Sequence, residues 1–205
     1  MIDHLVYAAA DLALGMEQIE QLIGITPTLG GQHPGRGTRN ALLALGADRY
    51  LEIVAPDPDQ PPPPSGRWLG VDDVRDPRLT TWAAKHGDLA RTRARALEHG
   101  VALGEVKSGT RQRTDGVRLS WQLTEPDPLV GGGVIPFLID WGASPHPAHT
   151  AAQGASLVDF RLEHPDVGAI QRMLRVLDVD VPVSRADKPA LVAMLEGPRG
   201  RVELR

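Results

Sequence analysis

The sequence predicts an α+β fold in which a βαβββ unit recurs along the chain. Three segments share one pattern: a short apolar strand, an aspartate followed by an apolar residue, and an amphipathic helix. Asp11, Asp88 and Asp166 stand where a helix N-cap belongs, because a carboxylate there accepts hydrogen bonds from the free backbone N–H groups of the first turn. Each segment ends in another strand-like run, at residues 49–54, 135–141 and 201–204.

The first unit, residues 1–56, shows this pattern most clearly. Its opening strand is predicted over residues 2–9 and its helix over residues 12–23, followed by Gly24 at a C-cap position. Apolar residues recur along this helix at intervals of three and four, which is the spacing of one buried helix face. A further strand at residues 40–45 precedes the last strand of the unit.

Two more units follow, at residues 77–143 and, in a shorter form, at residues 155–205. A linker at residues 57–76 separates the first two units, because residues 56–64 hold six prolines, which exclude a helix or a central strand. The strands and helices predicted in these two units are, in order, residues 79–85, 88–99, 117–123, 135–141, 157–163, 166–177 and 201–204.

A basic segment lies inside the second unit. Residues 85–113 hold seven basic and three acidic residues, which is typical of a solvated helix face. Asp115 and Gly116 form a turn signal just before the strand predicted at residues 117–123. A nucleic-acid site in this segment would lack interleaved aromatic residues.

Composition removes several classes of protein. The chain has 205 residues, of which 41% are hydrophobic and 23% charged, values typical of a globular protein. The absence of cysteine excludes disulfides, thiolate catalysis and cysteine-ligated metal centres. A net charge of −4 without long runs of one sign argues against nucleic acid and anionic membranes as partners. With no apolar stretch of transmembrane length and no signal-peptide pattern, we expect a cytoplasmic protein.

Two strands and a loop carry a family resemblance. The strand at residues 2–7 contains His4 and the strand at residues 50–54 contains Glu52. A histidine on the first strand and a glutamate on the fourth resemble the vicinal-oxygen-chelate superfamily of glyoxalase I, extradiol dioxygenases and antibiotic-sequestering proteins. Residues 30–40, Gly-Gly-Gln-His-Pro-Gly-Arg-Gly-Thr-Arg-Asn, are similar to the glyoxalase-like domain group of bacterial proteins.

The resemblance covers most of residues 1–150 and is extended by residues 136–141 and His146-Pro147. Over residues 155–205 only the repeat pattern matches. The family resemblance implies that the units form a curved, half-open mixed β-sheet barrel with the helices outside. Units one and two would share a pocket for a small-molecule substrate.

Strand alternation places two candidate metal ligands on one face. If the apolar neighbours of His4 and Glu52 pack under the helix, both side chains lie on the concave face of the sheet. An imidazole and a carboxylate make half of a mixed nitrogen and oxygen site for a divalent metal. Alignment of the units adds Asp140 as a third ligand. The alternatives are a hydrogen-bonded pair for His4 and Glu52, and a polar strand end for Asp140.

The third unit offers two further carboxylates, Asp159 and Glu203, so pairing of units one and three stays open. Both signs of charge are interleaved on these strands, which favours a solvated, ion-paired surface. A site with one histidine and several carboxylates suits Mn²⁺ or Mg²⁺ better than Zn²⁺. Fe, Ni and the absence of any cofactor stay open.

The glycine-rich loop supplies candidates for catalysis. His33 can act as an acid or base near neutral pH, and Arg36 can hold a carboxylate or phosphate through two parallel hydrogen bonds. A turn in which His33 and Thr38 bond only within the loop is the alternative. The predicted substrate-binding residues are Arg36, Thr38, Asn40, Tyr50, Trp121 and Trp141. The two tryptophans would form an apolar wall, with core packing as the alternative.

These observations predict a glyoxalase-like protein. The first hypothesis is a divalent-metal-dependent lyase, isomerase or dioxygenase that acts on a small oxygen-rich molecule. The alternative is a metal-free protein that binds or sequesters a small apolar or aromatic compound. A third is a structural or regulatory protein with a vestigial pocket. The odd third unit would cover an open sheet or pair across a homodimer.

Overall fold

The computed structural model describes residues 1–112 and 116–205. Asp115, predicted to form a turn, lies outside the described residues. In the described part of the chain the strands and helices are β1 Ile2–Ala8, α1 Leu12–Ile23, β2 Thr28–His33, β3 Thr38–Ala44, β4 Tyr50–Pro56, β5 Arg78–Lys85, α2 Leu89–Glu98, β6 Val106–Gln112, β7 Arg118–Thr124, β8 Phe137–Asp140, β9 Ser156–His164, α3 Val167–Val176, β10 Val183–Arg185, β11 Ala190–Gly197 and β12 Gly200–Leu204.

All three helices begin directly after the aspartates that were predicted to cap them. Asp11 accepts hydrogen bonds from the backbone N–H groups of Ala13 and Leu14, and Asp88 and Asp166 cap α2 and α3 in the same way. These caps satisfy donors that a helix leaves free in its first turn. No helix in residues 1–112 or 116–205 is long and apolar enough to cross a membrane.

The first eight strands form one curved mixed sheet in the order β2-β3-β4-β1-β5-β8-β7-β6. Within each of the first two units the first strand pairs in parallel with the last, β1 with β4 and β5 with β8. The antiparallel pair β1 and β5 joins these two units. The edge strands β2 and β6 approach each other, since Nη1 of Arg111 on β6 lies against Gly30 on β2 and donates a hydrogen bond to Asn40 on the neighbouring β3. The predicted α+β architecture of a half-open barrel is confirmed.

The last four strands form a separate sheet in the order β10-β9-β11-β12. Here the first strand lies between β10 and β11, so the strand order differs from that of the first two units. This sheet packs on the outside of the barrel, where Phe160 meets Trp82 with ring centroids 5.1 Å apart. Arg161 pairs with Glu203 at 3.1 Å on the exposed side, and Asp159 lies nearby at 3.7 Å. Both carboxylates therefore belong to a surface ion-pair network.

The barrel sheet separates two apolar layers. Leu5 and Leu51 point outward into the core beneath the helices and the smaller sheet, whereas Val6 and Val54 point into the barrel. Alternation along β1 and β4 therefore turns His4 and Glu52 to the inside. The connection at residues 57–76 also packs there, because it carries Trp68, Leu69, Val71 and Val74, all buried.

Candidate functional site

The inside of the barrel holds a narrow pocket of about 30 Å³, room for roughly two water molecules. One wall is polar and comes from the first unit, with His4, His33, Asn40 and Glu52. The other wall comes mainly from the second unit and is largely apolar, but it also includes the charged side chain of Arg111 on β6. Its apolar residues are Trp121, Leu123, Phe137, Ile139 and Trp141.

The pocket opens into a wider cavity of about 180 Å³. Both spaces share His33, Trp68, Trp121 and Leu123 as lining residues. The remaining wall of the outer cavity comes from the β2–β3 hairpin and from β6, with Pro34, Arg36, Lys107, Ser108, Gly109 and Thr110. A ligand can therefore place a small group near Glu52 while its larger part stays in the outer cavity.

A series of charged and polar groups runs from the barrel wall to the pocket. Oδ1 of Asp3 lies 2.7 Å from Nδ1 of His4, and Nε2 of His4 lies 3.5 Å from Oε2 of Glu52. The pairing of β1 with β5 shifts register between Ile2 and His4, and such bulges re-aim side chains. Asp3 and His4, neighbours in sequence, can thus meet.

Asp3 is fully buried and accepts from three nitrogen donors. Besides His4, these are Nε1 of Trp141 at 3.1 Å and Nε2 of His146 at 3.2 Å. Burial alone would raise the pKa of Asp3, but the hydrogen bonds from His146 and His4 outweigh it and hold that pKa well below its ordinary value of 3.8. The carboxylate therefore stays ionised, and His4 donates to it through Nδ1–H.

Asn40 connects both halves of the site. Its Oδ1 accepts from Nη1 of Arg111 at 3.1 Å, which directs its amide nitrogen toward Oε1 of Glu52 at 2.6 Å. The same nitrogen lies 3.2 Å from Nε2 of His33. One amide thus joins β3 and β4 to β6 and to the loop that carries His33.

His33 is held as a neutral imidazole. Since Asn40 donates to its Nε2, the proton sits on Nδ1, which faces Oγ1 of Thr38 at 2.9 Å. Burial lowers the pKa of His33 to about 4, and the positive charges of Arg111 and Arg36 add to this against the opposing charge of Glu52. Both ring nitrogens of His33 are therefore engaged, Nε2 with Asn40 and Nδ1 with Thr38.

Tyr50 lies beside the polar series. Its ring stacks on His4 with centroids 4.6 Å apart and planes 19° apart. Burial, together with the charges of Glu52 and Asp3, raises the pKa of Tyr50 well above 10. The phenol therefore stays protonated and can donate a hydrogen bond to a bound ligand.

The remaining predicted binding residues lie at or behind the wall of the cavities. Thr38 is fully buried and accepts from Nε1 of Trp68 at 2.9 Å, so it supports the wall. Arg36 lies at the outer cavity. Trp121 and Trp141 pack together with centroids 5.4 Å apart and both face the pocket.

The structure does not bring Asp140 to this cluster. Phe137, Ile139 and Trp141 occupy the inward positions of β8, so Asp140 between them points outward, where its Oδ1 accepts from the N–H of Gly142 at 2.8 Å. The alignment of units that selected Asp140 missed this alternation. The second unit therefore offers apolar side chains at the inward positions of β8.

The resemblance implies a divalent metal, and the residues do not fit one. Among residues 1–112 and 116–205, no group of three or more His, Asp or Glu side chains has an arrangement that could hold a metal ion. Of the three predicted ligands, His4 and Glu52 face each other but Asp140 points away, and Oε1 of Glu52 already accepts from the amide nitrogen of Asn40. Arg111 adds a positive charge to the same pocket.

Sequence reasoning missed several residues of the site. Asp3 and His146 were not assigned roles, although a charged residue next to His4 within an apolar strand was a usable signal. Arg111 was counted with a solvated basic segment, and Trp68 with a proline-rich linker. Only closure of the barrel brings Arg111 and Trp68 to the pocket.

Comparisons with known proteins agree with this architecture. A family model described as glyoxalase-like domain matches residues 2–177. A hypothetical protein from Staphylococcus aureus has a TM-score of 0.65 at 14% identity, covering 98% of this chain and 83% of that one. No curated protein matches the chain.

Two methylmalonyl-CoA epimerases are also similar in structure. The enzyme from Mycobacterium tuberculosis has a TM-score of 0.44 at 23% identity, covering 69% of this chain and 87% of that one. A Streptomyces coelicolor variant in complex with 2-nitronate-propionyl-CoA has a TM-score of 0.47 at 18% identity, with 69% and 97% covered. Such likeness concerns the fold alone. Since the family match spans most of its length, the chain belongs to the glyoxalase-like domain family.

Proposed function

We propose that this glyoxalase-like protein is an isomerase or lyase that transfers a proton on a small molecule through Glu52, without a resident metal. The observation that carries the proposal is the buried series Asp3, His4 and Glu52, which ends at a mostly apolar pocket. Within the described residues, Glu52 belongs to no group of three or more His, Asp or Glu side chains that could hold a metal ion.

Glu52 is placed to act as the base. It is 6% exposed and faces the pocket, so a ligand there would displace water around the carboxylate. Glu52 would take a proton from a carbon next to a carbonyl group, and the electron pair of the broken C–H bond would move onto the carbonyl oxygen. The phenol of Tyr50 is the neutral donor available to that oxygen.

His4 would assist by carrying the proton. Its Nε2 faces Glu52, and its Nδ1–H donates to the buried carboxylate of Asp3, which fixes the orientation of the ring. Return of the proton to the opposite face of the same carbon gives an isomerase, whereas a lyase results when the electron pair returns from the oxygen and expels a leaving group from the neighbouring carbon. The geometry supports both outcomes equally.

Deuterium exchange tests this proposal without knowledge of the natural substrate. Small carbonyl compounds with an acidic C–H bond are incubated with the protein in D₂O and followed by proton NMR. We expect exchange in the wild type and its loss in Glu52→Gln, with Asp140→Asn as the matched control that keeps it. Exchange at equal rates in wild type and Glu52→Gln would overturn the proposal.

A second candidate function is metal-free sequestration of an aromatic compound. The packed pair Trp121 and Trp141 favours it, since indole faces provide a large apolar contact surface. A ligand that raises the melting temperature without any exchange of its C–H bonds would support this candidate. The predicted homodimer can be checked by light scattering during gel filtration.

A further inference from the structure

The inner face of β6 carries positive charge. Lys107, Gly109 and Arg111 alternate along this strand and therefore share one face. Their partners across the ladder are inner residues of β7, because Gly109 pairs with Trp121 and Lys107 with Leu123. Two cations thus flank a glycine on the surface that lines both cavities.

Gly109 makes room for a flat ring. A Cβ atom at this position would overlap the indole of Trp121, so only glycine lets that ring lie across β6. Lys107 and Arg111 are four residues apart on the strand, a distance of roughly 13 Å. The Trp121 ring therefore lies between one cation at the outer cavity and another beside Asn40.

A third cation faces them from the β2–β3 hairpin. The guanidinium of Arg36 lies 4.7 Å from the ring centroid of Trp68, and its Nη2 lies 2.5 Å from Oε1 of Glu125. The side chain is 35% exposed, so it is held on one side and open to the cavity on the other. A guanidinium held this way is prepared to bind an anionic oxygen.

The acidic residues nearby do not cancel this charge. Among the described residues that line the two cavities, Glu52 is the one acidic residue, and it lines the inner pocket, whereas Arg36 and Lys107 line the outer cavity. Lys107 pairs with Glu105, but both side chains are at least half exposed, and such pairs are weak. An anionic ligand can therefore compete for Lys107.

We propose that the pocket binds a small organic anion, a carboxylate or phosphate monoester with a flat apolar body. Its negative group lies between Arg36 and Lys107, and its flat part lies along Trp121. The placement of its other end beside Glu52 rests on the proposed function; the anion preference does not.

Matched acid and amide probes test the preference. Tryptophan fluorescence is titrated with phenylacetate, 2-naphthoate and phenyl phosphate, and with the neutral phenylacetamide and 2-naphthamide, at up to millimolar concentration. We expect the anions to bind and their amides to bind at least tenfold more weakly. The phosphate separates a phosphate-selective site from a carboxylate-selective one.

Two variants locate the effect. Arg36→Gln and Lys107→Gln should each weaken anion binding about tenfold and leave amide binding unchanged, since a hydrogen bond to a charged group is lost. Arg95→Gln, an exposed cation of α2 paired with Asp178, is the control and should change neither. Equal affinity for acids and amides, no binding by any anion, or unchanged anion binding in Arg36→Gln would each overturn the inference.

The two proposals fail separately. Anion preference without deuterium exchange removes the proton-transfer function and supports this inference. Deuterium exchange on neutral carbonyl compounds that depends on Glu52, without any preference for anions, supports the proton-transfer function and removes this inference.

Discussion

Nδ2 of Asn40 lies 2.6 Å from Oε1 of Glu52, and Oδ1 of the same side chain accepts from Arg111. Asn40 thus links the carboxylate of one unit to a cation of the other. Because β2 and β6 are the two edges of the sheet, this amide also spans the seam where the barrel nearly closes.

Replacement of Asn40 by Ala removes the partner of three side chains. We expect the variant to lose about 2 kcal/mol of unfolding free energy, because Glu52, His33 and Arg111 keep buried polar atoms with fewer partners. Urea unfolding at pH 7 measures this loss. Gln21→Ala, which removes an exposed amide bonded to Glu17 on α1, is the matched control and should cost less than about 0.5 kcal/mol.

Asp3→Asn should destabilise the protein by about 3 kcal/mol, because the buried carboxylate accepts from three nitrogen donors and the amide cannot. The pKa of Asp3 is lowered in the folded state, so its contribution is fully present above its ordinary pKa of 3.8 and is lost as the pH falls below it. Unfolding free energies of wild type and variant are compared at pH 7 and pH 3. If the difference in unfolding free energy between wild type and Asp3→Asn is equally large at both pH values, the lowered pKa of Asp3 is contradicted.

His33 should make the protein less stable as the pH falls. Its pKa is about 4 in the folded state against an ordinary value of 6.5, so the unfolded chain binds more protons between these values. The contribution of neutral His33 to the unfolding free energy is fully present above pH 6.5. It decreases toward pH 4, by up to about 3 kcal/mol. Chemical unfolding at pH 7.5, 5.5 and 4.5 measures the slope, and His33→Gln should flatten it. An unchanged slope in that variant would assign the pH effect to other groups.

Gly30→Ala tests the seam of the barrel. A Cβ atom at Gly30 would overlap Oδ1 of Asn40 and Nη1 of Arg111, both part of the buried network. We expect a loss of about 1–3 kcal/mol from overpacking, together with weaker ligand binding. Gly87→Ala, where a Cβ meets no atom within 4 Å, is the control and should be neutral in both thermal melts and titrations.

Added metal should not stabilise the protein. Because Asp140 points away from His4 and Glu52, Asn40 donates to Oε1 of Glu52 and Arg111 lines the pocket, we expect Mn²⁺, Ni²⁺, Zn²⁺ and Mg²⁺ to leave the melting temperature unchanged. Elemental mass spectrometry of purified protein provides an independent measurement. Stoichiometric metal that disappears in both His4→Ala and Glu52→Ala would instead establish a chelate site.

Local patterns account for what could be predicted of the site. His4 and Glu52 were identified because strand alternation depends only on neighbouring residues, and the structure has both inside the barrel. Asp140 was selected by aligning the last strands of two units, and the structure does not bring it to the pocket, since an alignment that is shifted by one residue exchanges the two faces of a strand. The inward position belongs to Trp141, whose indole donates to Asp3.

The sequence by itself determined the three helices, their aspartate caps and the α+β character of the units, because caps and periodicity act over a few residues. It also determined that cysteine chemistry is absent. Only the tertiary structure decided that Asp3 meets His146, that Arg111 reaches Asn40 and that the connecting segment places Trp68 at the pocket. These contacts depend on the order of the strands and on the approach of β2 to β6, which join residues far apart in the chain and leave no local pattern.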